Sequence, residues 1–129
     1  MTALLDTDVL IDCLRGVEAA TDWLAASPDQ RFEVPGIVAM ELVAGCRNQR
    51  ELKQIQQFIQ NFSVAWPDSS EFQHAYGIYT AHRLSTGLSI PDSIIAAMVL
   101  VRSATLYTFN LRHFQNIPGL NAQAPYQRP

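Results

Sequence analysis

Cysteine is scarce in this 129-residue chain, with Cys13 and Cys46 the two present. They form no CxxC or other zinc-like spacing and are too few for a disulfide framework, so both read as reduced packing residues. Long apolar runs are missing as well. The longest wholly apolar stretch, IIAAMVLV at 94 to 101, falls far short of the roughly 18 residues that read as a bilayer span. Asp6, Asp8 and Asp12 interrupt the place where the apolar region of a signal peptide would lie. A cytoplasmic protein without membrane contact is expected. Lysine is nearly absent: eight of the nine basic residues are Arg, and Lys53 is the exception. Asp and Glu are missing altogether after Asp92, where the basic residues and histidine are Arg102, Arg112, Arg128 and His113. The net charge of −3 argues against a protein that grips nucleic acid by bulk electrostatics, whereas individual arginines suit bidentate phosphate contacts.

What is present is a globular composition. Hydrophobic residues make up 48% and charged ones 16%, enough for a single domain over residues 1–129 to bury a core without staples. Elements alternate along the chain. MTALL reads as a buried strand, followed by helices from about Thr7 to Leu14, stopping at Gly16, and from about Glu18 to Ala26. RFEV alternates as a strand and leads through Pro35-Gly36 into a helix holding Glu41. Leu52, Ile55, Ile59 and Phe62 give an amphipathic helix over 48–61, and Phe62, Val64 and Trp66 then alternate as a strand. Phe72, Tyr76 and Tyr79 line one face of a helix ending near Gly87; a last helix opens at Asp92 and runs to about Arg102, before the strand TLYTF. Strands separated by helices imply an α/β fold with a parallel sheet covered on both faces. Ligands in such folds bind beyond the C-terminal strand ends.

Three carboxylates flanked by apolar sequence fall at such positions: Asp6 in ALLDTDVLI, Glu41 in VAMELVAG and Asp92 in SIPDSIIAA, with Asn110 following the final strand in YTFNLRHF. Asp6 and Asp92 serve equally well as N-caps, and a core arginine is an alternative partner for Glu41. Asn110 also suits a turn. If the three acids meet, each like-charge pair at about 4 Å costs on the order of 4 kcal/mol at an effective dielectric near 20. Protonation or a cation must then relieve them. All-oxygen ligands suit a hard divalent ion such as Mg²⁺, with Mn²⁺ as substitute.

At these residues the sequence resembles the PIN-domain ribonucleases, and within them the VapC toxins of bacterial toxin–antitoxin pairs. LLDTDVLID, VAMELVAG, IPDSIIAA and TLYTFNLRHFQNIPGL carry the resemblance, which covers essentially the whole chain. It implies a single PIN domain, an α/β/α sandwich around a small central parallel sheet, with Mg²⁺-dependent endonucleolytic cleavage of RNA by activated water to 5′-phosphate and 3′-hydroxyl ends. Carried over, Asp6 and Asp92 are the principal metal ligands, and Glu41 completes the acidic cluster. Asn110 stands where many members have a fourth acid, which points to one firm metal site. Asp8 is no core ligand of the family, and Thr7 is a capping residue within reach of a ligand. His113 invites a general-base role that the family motif does not use; His74 and His82 receive none. Arg15, Arg83 and Arg112 are candidate phosphate contacts. The resemblance also implies a VapB-type antitoxin, whose C-terminal segment sets a basic side chain against the acids, and a homodimer. Either the aromatic face of Phe72, Tyr76 and Tyr79 or the helix over 48–61 is placed to bury the dimer interface, if neither is simply core.

Two rivals stand beside this reading. A PIN domain that binds RNA or protein without catalysis shares the fold. The pair Asp6 and Asp8 also fits the DxD motif of haloacid-dehalogenase-like phosphatases, which need a downstream Lys and a later acidic pair; only Lys53 is available.

Overall fold

The structure, a computed structural model, describes residues 2–28 and 30–128. Five strands form one fully parallel sheet in the order β3-β2-β1-β4-β5. The first strand, β1 (Thr2–Leu5), is central, and Ala3, Leu4 and Leu5 are completely buried. That explains why Ala3 to Leu5 is an unbroken apolar run and not an alternating one. Met1 lies outside the described residues. Helix α1 (Thr7–Leu14) follows and is stopped by Gly16, whose φ of 71° is the left-handed conformation that glycine adopts without penalty. After α2 (Glu18–Ala25) comes β2 (Arg31–Pro35), then α3 (Gly36–Ala44), α4 (Gln49–Ile59) and β3 (Ser63–Ala65).

The long helix α5 (Ser69–Thr86) opens with a capping box between Asp68 and Glu71 and closes at Gly87, φ 72°. Its core face is Glu71, Ala75 and Ile78. The aromatic face read from the sequence instead looks outward, with Phe72 50% and Tyr76 73% exposed. Helix α5 packs against α6 (Ile90–Arg102), in which Ile95, Ala96, Ala97 and Met98 are wholly buried, as an apolar segment without a polar face requires.

The expected start of α6 at Asp92 is wrong. Ser89 is the N-cap, its hydroxyl accepting the Asp92 amide at 3.1 Å, and Pro91 fits the first turn because it has no N–H to leave unpaired there. Asp92 is therefore one turn in. Two elements were not foreseen: α7 (Leu111–Phe114), anchored by buried Phe114, and β5 (Ala122–Gln123), which extends the sheet beside β4 (Thr105–Tyr107). Neither is long enough to give a periodicity. The helices cover both faces of the sheet, which is the expected α/β/α sandwich. Among the described residues no helix is long and apolar enough to cross a membrane.

Candidate active site

Because every strand is parallel, the segments leaving β1, β2 and β4 share one edge of the sheet. Asp6 leaves β1 there as the N-cap of α1 and is 5% exposed. Its Oδ1 accepts the Thr7 amide at 2.8 Å and its Oδ2 accepts the Thr108 hydroxyl at 2.7 Å. Burial, then the charge of Asp8, drives its pKa up from 3.8 to about 6; the Thr108 and Thr7 hydrogen bonds oppose this, and Asp92 adds to it. Asp6 thus caps a helix and also lies within the field of two other carboxylates.

Asp8 lies two residues on, in the first turn of α1. Its Oδ2 accepts the Phe109 amide at 3.0 Å, while its Oδ1 is buried with no hydrogen-bond partner. Burial raises its pKa as well. Thr108, wholly buried, does double duty: it donates to Asp6 and accepts the Asn110 amide at 3.0 Å. Together Asp6 and Asp8 lock residues 108 to 110 against the start of α1. The sequence reading missed Thr108, whose only signal was its place directly after β4, next to β1.

Glu41 is solvent-exposed on α3 and accepts the Thr7 hydroxyl at 3.1 Å. The apolar residues around it in sequence do not bury it, because Met40 (59% exposed), Val43 (39%) and Ala44 share its outward face. Desolvation is therefore not what makes this acid unusual, contrary to the reading from its neighbours. Asp92, its side chain 19% exposed, meets His113 Nδ1 through Oδ2 at 3.0 Å. Asn110 makes no capping hydrogen bond with its side chain and stands exposed ahead of α7.

Among the described residues no three His, Cys, Asp or Glu side chains draw close enough to hold a metal ion together. The close three-acid group expected from the sequence is not found among the described residues; Asp6, Glu41 and Asp92 are hydrogen-bonded instead by Thr108, Thr7 and His113. The donor chemistry nevertheless suits a hard divalent cation. It is all oxygen, it includes a carboxyl pushed toward protonation by burial and then by neighbouring acids, and Asp8 adds a buried oxygen that nothing satisfies.

A groove of about 570 Å³ runs from this edge between α1, α3 and α4, lined by Thr7, Ile11, Arg15, Glu41, Arg47 and Ile55. Arg15 thus borders Glu41, while Arg112 shares α7 with His113 and Arg83 lies in the last turn of α5. Lys53 is exposed on α4. It takes no part in lining that groove, which leaves the phosphatase reading without its lysine. Behind the site, Tyr126 and Arg128 clasp Asp12 of α1 at 2.7 and 3.1 Å, and the Arg128 guanidinium covers the Phe109 ring at 3.9 Å.

The model of the PIN domain matches residues 3–120. Ribonuclease VapC19 of Mycobacterium tuberculosis (strain ATCC 25618 / H37Rv) is 35% identical over 128 residues, covering 95% of this chain and 98% of that protein. Ribonuclease VapC10 of the same strain is 33% identical, covering 86% and 84%. Among solved structures, a toxin-antitoxin complex from Klebsiella pneumoniae contains a chain with a TM-score of 0.77 at 26% identity, covering 98% of this chain and 99% of that one. DNA-bound VapBC from Salmonella typhimurium gives a TM-score of 0.83 at 24% identity, covering 98% and 99%, a likeness of fold. The chain belongs to the PIN domain family, among the VapC ribonucleases.

Proposed function

We propose that this chain is the toxin of a toxin–antitoxin pair, an endoribonuclease that uses a divalent ion, Mg²⁺ or its substitute Mn²⁺, held by Asp6 and Asp92 with Glu41 completing the acidic face. The observation that carries the reading is the carboxyl of Asp6 at the strand-end edge, gripped by Thr7 and Thr108 and raised toward neutrality first by burial and then by the charges of Asp8 and Asp92. A cation relieves that repulsion without protonation. When bound, the ion supplies Lewis-acid activation of water and of the scissile phosphate.

The chain's own residues do the rest. Asp6 is oriented before any ligand arrives, since both its oxygens are already hydrogen-bonded. Glu41, steadied by the Thr7 hydroxyl, would add a further oxygen to the ion, directly or through water. Asn110 contributes no charge where many relatives have a fourth acid, so one firmly held ion is the proposal. Arg15, which lines the groove, is the proposed contact for a backbone phosphate of RNA. A VapB-type antitoxin is the proposed partner, by likeness to the Klebsiella complex. The exposed ring faces of Trp66, Phe72 and Tyr76 are the proposed homodimer surface, and the cytoplasm the proposed compartment.

The test is cleavage of end-labelled RNA by purified protein with Mg²⁺ or chelator, with fragment ends mapped. Asp6→Ala and Asp92→Ala are expected to give no cleavage above the chelator blank while circular dichroism shows the fold intact. Unchanged Mg²⁺-dependent cleavage by both variants overturns the ligand assignment.

A further inference from the structure

His113 faces Asp92 from an element that the sequence does not announce. Helix α7 is a single turn, yet it is rigidly mounted: the His113 amide bonds Asn110 O at 3.0 Å, Phe114 is 1% exposed and Ile117 5%. The neighbouring core residue thus fixes where His113 sits, while its own side chain is 48% exposed. Burial therefore does not explain why the ring turns to Asp92. The contact of 3.0 Å between Nδ1 and Oδ2 does. A carboxylate only accepts, so Nδ1 carries the hydrogen and donates it.

We infer that His113 is a positioning residue of the metal site: its Nδ1–H occupies one oxygen of Asp92, so that Asp92 offers the ion its other oxygen. This rests on the proposal that Asp92 is a ligand. Ligating carboxylates work best when an outer partner holds them, and loss of such a partner typically weakens metal affinity about tenfold to a hundredfold. Asp6 has its outer partners in Thr7 and Thr108, and His113 supplies the equivalent for Asp92. The strand β4 side of the site then presents hydrogen-bond donors where a fourth acid would present another ligand. A base that takes a proton from water is a different role, open only to Nε2 once Nδ1–H is given to Asp92.

Mn²⁺ binding by the full chain, followed by loss of the free-ion electron paramagnetic resonance signal, tests this without any turnover. His113→Phe keeps a ring and removes the donor; His113→Asn keeps an amide N–H close to where Nδ1 stood. The expected result is affinity about tenfold to a hundredfold weaker for Phe and restored toward the parent by Asn, with melting in chelator the same for all three. Parent-like or tighter binding by the Phe variant overturns the inference, as does an Asn variant as weak as Phe. Asp92→Asn separates the two levels. If it abolishes binding while His113→Phe does not, only the role of His113 fails. If it binds like the parent, the ligand assignment fails first and the inference with it.

Discussion

Asp6 concentrates the cost of the site in one carboxyl group. Its folded-state pKa of about 6 lies above the ordinary 3.8, so the folded state holds the proton more tightly than the unfolded chain does. The associated stability is fully present below about pH 4 and is lost as pH rises through about 6, amounting to about 3 kcal/mol. In chelator, the urea stability of the parent should therefore fall from about pH 4 to about pH 7 relative to Asp6→Asn, in which the group no longer titrates. Mg²⁺ at a hundredfold excess over its dissociation constant should return about 2.7 kcal/mol to the parent at neutral pH and little to the variant. A parent and variant that track each other across this range would count against a strained acid. Residue by residue, the sequence displayed Asp6, Glu41 and Asp92 because carboxylates stand out in apolar surroundings. It hid Thr108, since a threonine after a strand is ordinary, and it misjudged Glu41, since apolar flanks in a helix include the face that points away from the core.

At the scale of elements, long segments were legible and short ones were not. The helix boundaries at Gly16 and Gly87 follow from glycine's left-handed freedom, and the fully buried α6 follows from its apolar run. By contrast α7 and β5 have four and two residues, too few for a period, and tertiary contacts alone create them. Asp92 was assigned the cap that Ser89 provides because both are good capping residues three positions apart. Helix junctions also carry the strongest structural prediction. Glu71, 1% exposed, receives Arg102 Nε at 2.7 Å and Nη2 at 2.9 Å, and Arg102 also donates to Trp66 O at 3.0 Å. One guanidinium thereby joins the end of α6 to the start of α5 and the strand end of β3. Arg102→Ala leaves the Glu71 carboxylate buried and unpaired, with an expected loss of about 3–5 kcal/mol in urea unfolding. The double change Glu71→Gln with Arg102→Met should cost less than the single one, because no uncompensated charge remains.

The whole molecule is organised about β1, with two strands on either side and all carboxyl ends at one edge. That architecture was readable from alternation of strand and helix; the outward turn of the aromatics was not, because a helix face of Phe and Tyr has the same spacing whether it meets a core or a partner. Trp66 at 61%, Phe72 at 50% and Tyr76 at 73% exposure are the aromatics proposed to meet a second copy. Sedimentation should give a dimer for the parent and a monomer for Tyr76→Glu with the same melting transition in dilute solution; a monomeric parent would dismiss that surface.

Thr108 and Asp6 meet across a separation of 102 residues. Since a nascent polypeptide leaves the ribosome amino end first, the hydroxyl that braces the first acid is still inside the tunnel when that acid has long been outside. A chain interrupted during synthesis therefore carries its acids without their brace. The brace forms only once synthesis has passed β4 and Thr108 has left the tunnel.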